Sequence, residues 1–435
     1  MNETAPAKLS LFNDPLKYRW LMFVIGGIIY FFACLHRVSP TVIAQDLTLE
    51  FTLNATMLGL IASAYFYLYA FIQPPVGVLS DTIGPRRVVT FFTLIACIGS
   101  IVFGMATNPV MAIFGRCLIG IGVGGIFVPA LKIFSQWFRP DEFASLAGIM
   151  LAIGYLGGIF ASAPLTLLVL NVGWRISFII IGVLTVLMGG LFWIIARDKP
   201  EDKGWPSIAA GPQTSKIDQD APAGITTKQR LKRVVIHPGF WMITLSIFFV
   251  GGAGITFTGL WAVPFLIDIH HYSRMESGTM LMLSMIGFAC GAAMSGFLVD
   301  KLGLNKKTIV IVTLSLGIIY YTLFCTIGDK LPNTVLIIIF LVMGICGGST
   351  VPIFMAMTKE LFPNWLTGTA IGLMNPAAFL ATAIYQPITG LLMDRVGKTS
   401  SGGFPYEAYQ QVFIMFLGAF IISLVFICLF KAPKQ

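Results

Sequence analysis

Two arginines stand where an arginine is hard to keep. Arg37 and Arg116 each fall well inside a long run of apolar residues, whereas every aspartate and glutamate sits at the end of such a run or in a loop; Asp46, Glu50, Asp268 and Asp300 come nearest. A guanidinium keeps its proton in proteins, and a charge in lipid-like surroundings is costly and normally functional. With no carboxylate at the same depth, the missing counter-charge points to a bound small anion. For Arg37 the competing reading is a side chain that snorkels to a nearby interface. His36 is the one group at that depth able to exchange a proton near neutral pH, so it is a candidate coupling residue as well as a candidate structural histidine. Tyr65, Tyr69 and Gln73 recur at i, i+4 and i+8 and therefore share one helical face, which either lines a path or packs on another helix. No nucleophile with an acid–base pair and no cluster of metal ligands occurs at one depth, so the sequence predicts no enzyme, no metal and no cofactor.

The elements that carry these residues are membrane helices. Of the 435 residues 57% are hydrophobic and 11% charged, against about 25% charged in ordinary soluble chains. The apolar runs are about 20 residues long, enough to span the hydrocarbon as helix, and their lack of polar alternation excludes a β-barrel. The sequence predicts an all-α polytopic membrane protein with spans at 18–45, 55–79, 88–106, 109–131, 143–169, 174–195, 238–266, 277–299, 308–327, 334–357, 368–393 and 409–430. With both termini cytoplasmic, 21 of the 28 Lys and Arg residues lie inside, as the positive-inside rule requires. The net charge of +9 therefore expresses topology and not nucleic-acid binding. The N-terminal tail lacks the pattern of a cleaved leader. The seven cysteines all lie in apolar runs without Cys-x-x-Cys spacing, which predicts buried small hydrophobes and no disulfides.

The chain repeats itself. Gly77-Val-Leu-Ser-Asp81-Thr-Ile-Gly84-Pro-Arg86-Arg87 is echoed by Gly296-Phe-Leu-Val-Asp300-Lys-Leu-Gly303-Leu-Asn-Lys306-Lys307, and Gly124-Gly125, Val128-Pro129, Pro140 and Pro164 return as Gly347-Gly348, Val351-Pro352, Pro363 and Pro387. The expected organisation is a tail (1–17), a six-helix bundle (18–195), a polar cytoplasmic linker (196–237) with an amphipathic stretch at 226–235, a second six-helix bundle (238–430) and a short tail (431–435). That is the arrangement of a secondary transporter with parallel half-repeats.

Taken together, Asp81 with Arg86 and Arg87, Arg116-x-x-x-Gly120-x-Gly122 and Gly173-Trp174-Arg175 resemble the signatures of the major facilitator superfamily over almost the whole chain. The resemblance implies a monomeric carrier working by alternating access. Asp81, and by repetition Asp300, would accept from backbone N–H groups and pair with basic groups across the halves, latching the outward-facing state; Arg86 and Arg87 either join that latch or only anchor topology. Leu35-His36-Arg37-Val38-Ser39, the run Ser63 to Gly77 and Gln136-Trp137-Phe138-Arg139-Pro140 resemble the organic anion:cation symporter branch. There the helix-one arginine binds the substrate carboxylate, a role suited to the planar guanidinium; Arg116 would instead bond to carbonyls of neighbouring helices, and both it and His36 are coupling candidates. The chain departs from that branch at His36 and Val123, where carboxylates are expected, which puts carboxylate-based proton coupling in doubt. In the second half, Trp261 corresponds to Arg37, with Thr256, Thr258, Asn375-Pro376, Tyr385 and Gln386 near it in the pattern; Trp261 alternatively belongs to an interfacial aromatic belt. The expected function is ion- or proton-coupled import of a small organic anion, in the first place a carboxylate, across a bacterial inner membrane. Arg37, Tyr65, Tyr69, Gln73, Trp261, Asn375 and Tyr385 would bind it. The alternatives are a carrier of amino acids, peptides or a carboxylate siderophore, and a non-transporting receptor of the same fold.

Overall fold

A computed structural model describes residues 14–208, 227–400 and 402–430. The start of the N-terminal tail, the middle of the linker with the first residue of its amphipathic stretch, the C-terminal tail and the Asp300 side chain lie outside the described residues.

Apolar composition and capping chemistry fix the helices. The first, α1 (Pro15–Thr41), begins earlier than the hydropathy predicts because Asp14 caps it, accepting from the Leu16 N–H at 2.9 Å, with Pro15 in the first turn. Then come α2 (Ala55–Thr82), α3 (Pro85–Gly104) and α4 (Pro109–Trp137). Asn54 and Asn108 cap α2 and α4 by accepting from Met57 and Met111, the usual solution for the free N–H groups of a first turn. The next apolar stretch, Pro140–Phe160, resumes as a helix at Ala163 that runs to Ile195. Gly173, with φ 81° and ψ 160°, leaves the helical region within it. Dividing there gives α5 (140–172) and α6 (174–195), close to the expected spans. The second set is α7 (Pro238–His270), α8 (Arg274–Asp300), α9 (Lys306–Ile327), α10 (Asn333–Leu361), α11 (Trp365–Val396) and α12 (Tyr406–Leu429). A π turn, Phe257–Trp261, interrupts α7, and Asn375-Pro376 interrupts α11.

Packing follows the repeat. In the first set α1 packs on α5 and α6, α2 on α4, and α3 on α4 and α6; in the second, α7 packs on α11 and α12, α8 on α10, and α9 on α12 and α10. The sets meet where α2 crosses α11 and where α8 lies against α5. The face carrying the linker is called inner here, and the opposite face outer. The linker holds to both sets: Trp205 packs on Tyr18 and Trp137, while a helix at Thr227–Ile236 sets Arg230 and Arg233 over Trp365. Four cysteines are buried, Cys117 is half-buried, and Cys290 and Cys428 are exposed on the bundle surface. The expectation of uniformly buried thiols fails for those last two, because their helix faces turn outward.

Candidate functional site

The two arginines do come together, around a pair of tyrosines from α2. Tyr65 and Tyr69 are one helical turn apart, and their rings stack with centroids 5.8 Å apart and 12° between planes. The Arg116 guanidinium lies 4.8 Å from the Tyr65 ring centroid, and that of Arg37 5.2 Å from the Tyr69 centroid. Arg37 Nη2 donates to the Tyr69 hydroxyl at 3.3 Å. Its other flank is Phe379 of α11, 4.9 Å from the guanidinium. Arg37 therefore sits between the sets, with an aromatic ring from each.

This cationic layer is under-satisfied. Arg37 Nε and Arg116 Nε and Nη2 are buried without hydrogen-bond partners, and the Tyr65 hydroxyl lies against the Arg37 guanidinium. Among the described residues neither guanidinium pairs with a carboxylate. Buried polar groups are normally bonded, and unmade bonds in apolar surroundings are costly. The arrangement suits an anion that supplies the missing acceptors.

Arg116 is fully buried and gives one bond, from Nη1 to the His36 carbonyl at 3.1 Å, so it does reach a neighbouring helix backbone. His36 is also fully buried. Its ring faces α6, with Nε2 3.5 Å from Thr185 Oγ1 and the ring 6.4 Å from Phe178, while Nδ1 has no partner. It thus points into the first set and away from the Arg37 side. Gln73, two turns inward of Tyr65 on α2, is half-buried.

The second set contributes differently from expectation. Trp261 is 1% exposed and donates from Nε1 to Thr389 Oγ1 of α11 at 2.8 Å. Enclosed like this, it is no part of an interfacial belt, and its N–H is committed within its own set. Tyr385 is buried with its ring 6.1 Å from Phe248. Asn375 is half-buried at the break in α11. Thr258 bonds back to the Gly254 carbonyl, whereas Thr256 Oγ1 and both amide atoms of Gln386 are buried without partners. Phe379 is not among the residues expected from sequence; it lies one turn beyond Asn375, and that spacing is the signal that marks it.

Among the described residues, the first copy of the loop motif makes its polar contacts within its own set. Asp81 forms an ion pair with Lys132 of α4, in its own set, and Lys132 also donates to the Ser80 carbonyl at 2.8 Å. Arg86 is held by α6 and the segment after it: Nε and Nη2 donate to the Trp193 carbonyl at 3.0 and 2.5 Å, and its N–H donates to Asp198 at 2.7 Å. Arg87 is exposed. The polar contacts that join the sets gather at the outer ends instead. Arg274 donates to Asp46 at 2.7 Å, Lys398 to the Leu53 carbonyl at 2.8 Å, Thr41 to the Leu260 carbonyl at 3.4 Å, and Asp394 accepts from α2. Asp394 is hard to find from sequence because no pair of basic residues follows it, unlike Asp81 and Asp300.

Known proteins bear on this geometry. A sequence model described as Major Facilitator Superfamily matches residues 21–330 and 260–435. The probable sulfoacetate transporter SauU of Cupriavidus necator is 23% identical over 395 residues, covering 88% of this chain and 89% of that relative. A hexuronate transporter of Bacillus subtilis is 25% identical over 416 residues, covering 92% and 93%. Among solved structures, a bacterial homolog of the human lysosomal transporter Spinster, inward-facing and unoccupied, superposes with a TM-score of 0.74 at 17% identity, covering 95% of this chain and 96% of that one.

Proposed function

Because the chain belongs to the Major Facilitator Superfamily and is a membrane transporter, we propose that its cargo is a small organic anion, in the first place a carboxylate, bound by Arg37. One observation carries this reading. Arg37 stands between the halves, flanked by Tyr69 and Phe379, with a buried Nε that no protein group satisfies. A carboxylate can accept from two guanidinium nitrogens at once, and the Tyr65 hydroxyl beside the same guanidinium can donate its own proton. The names of the sulfoacetate and hexuronate relatives support the class, since both cargoes carry a carboxylate.

The structure corresponds on this reading to an inward-facing state, its halves joined at the outer ends and the site reached from the inner side. The inner face is cytoplasmic, with both termini on it, and the helices make twelve crossings of a bacterial inner membrane. The carrier works as a monomer and imports its cargo with a proton or another ion. The unsatisfied Arg116 lies behind the tyrosine pair and adds positive potential to the site. Asp81, Arg86, Arg87 and Asp300 would act at the inner ends when those close.

Counterflow in proteoliposomes loaded with sugar acids, sulfonated acids, dicarboxylates, amino acids or sugar phosphates tests the proposal. Exchange of a carboxylate also separates a carrier from a receptor, which binds without counterflow. In Arg37→Ala, uptake efficiency should fall by about 30-fold or more, since removing one partner of a buried charge pair costs about 2–5 kcal/mol; Arg37→Lys should recover part of it. Anion uptake in the alanine variant equal to wild type would overturn the assignment.

A further inference from the structure

The spacing Gly-x-x-x-Asp-x-x-Gly occurs a third time, at Gly390, Asp394 and Gly397, where α11 reaches the outer face. Unlike the first copy, this one is engaged across the halves. Asp394 Oδ1 accepts from the Ala55 N–H at 2.8 Å; its Oδ2 accepts from the Thr56 N–H at 2.8 Å and from the Thr56 hydroxyl at 2.5 Å. These are the first two N–H groups of α2, which no residue of the helix itself can satisfy. Asn54 already serves the third. We infer that Asp394 is the clamp that holds the outer gate shut, a carboxylate of one half capping the N-terminus of a helix in the other.

Each position of the pattern has its part. Gly390 lets the helices meet backbone to backbone: a Cβ there would lie 2.3 Å from the Ala55 carbonyl oxygen and 2.7 Å from Thr56 Cα. The aspartate one turn further on is thereby delivered over the start of α2. Gly397, at φ 89° and ψ 172°, takes a positive-φ conformation open to glycine and ends α11, after which Lys398 reaches the Leu53 carbonyl just ahead of the same N-terminus. The α2 side is prepared in the same way, since a Cβ on Gly59 would stand 2.4 Å from the Gln386 carbonyl oxygen. The bonds are charge-assisted and aligned with the helix dipole, yet both partners can be hydrated when the gate opens. That combination makes a reversible catch. In the first copy Asp81 pairs within its own half and the space beside Gly77 is open.

The test needs no substrate, so it stands or falls separately from the carboxylate assignment. The full chain, with native cysteines replaced and Leu49→Cys and Lys330→Cys introduced at exposed positions in the short outer helical turns of the two halves, is spin-labelled in lipid nanodiscs and the inter-label distances are measured. Asp394→Ala should lower the ratio of outer-closed to outer-open populations by about ten-fold or more, as expected for losing hydrogen bonds to a charged group. Thr56→Val, which removes only the hydroxyl bond, should shift it the same way by less. A distance distribution in Asp394→Ala identical to the parent overturns the proposal. Should that variant fail to fold, an unshifted Thr56→Val overturns it instead.

Discussion

Arg37 and His36 are neighbours in sequence and opposites in setting. Successive residues on a helix point about 100° apart, so one side chain reaches the boundary between the halves while the other is enclosed by α6. The sequence shows that both are polar groups in an apolar run; it does not show which faces a path, because that depends on helix rotation fixed by packing partners far along the chain. Phe379 is such a partner for Arg37, Thr185 for His36. A proton carrier has to exchange with water on each side in turn, and His36 is fully buried against α6, within the first set. Replacing it by Gln should therefore leave the pH dependence of uptake unchanged, measured as initial rates across a range of external pH. Loss of pH-driven accumulation in that variant would restore His36 as the coupling group.

Helix ends are where the charged residues of this chain find partners, and those pairings have their own consequences. Arg19 of α1 donates twice to Glu142, at 2.8 and 3.0 Å, and Glu142 also accepts from the Arg139 N–H at 2.9 Å. Glu142 lies ahead of the apolar segment that begins at Ser145. Burial pushes its carboxyl up, but the Arg139 N–H and the Arg19 guanidinium outweigh that and hold it below its ordinary value. A carboxyl with a lowered folded-state value stabilises the fold above its unfolded value, about 4.3 for glutamate, and loses that contribution as pH falls through the folded value. Thermal midpoints of the purified protein should thus drop as pH goes below about 4.3, and Glu142→Gln should be less stable at pH 7 and flatter across that acid window. An acid response unchanged in the variant would show the pair to be neutral. Of all this the sequence displays only an acidic residue two positions after Pro140. Its partner on α1, 123 residues earlier, is settled by tertiary contact.

At the scale of the molecule, the positions that shape backbone were legible and the conformational state was not. Hydropathy located the helices to within a few residues, and the repeated glycines and prolines identified two related halves, because both signals are local. What the repeat left open is which set of ends is closed, since the two states of a rocking carrier share one sequence and differ by a few contacts. The structure has the outer set made, through Asp394, Lys398 and the Asp46–Arg274 pair, while Asp81 stays with Lys132. If transport proceeds by exchange between the two arrangements, fixing the outer contacts should stop turnover without removing the Arg37 site. With native cysteines replaced, covalent cross-linking of cysteines placed at Asp46 and Arg274, which touch across the outer ends, with a short bifunctional reagent should abolish counterflow. The same cross-linked protein should still show a ligand-dependent rise in thermal midpoint, because binding to the folded state stabilises it by mass action, and Arg37→Ala should erase that rise. Counterflow that survives complete cross-linking would mean that the outer ends need not separate for transport, and the rocking mechanism would have to be abandoned for this protein.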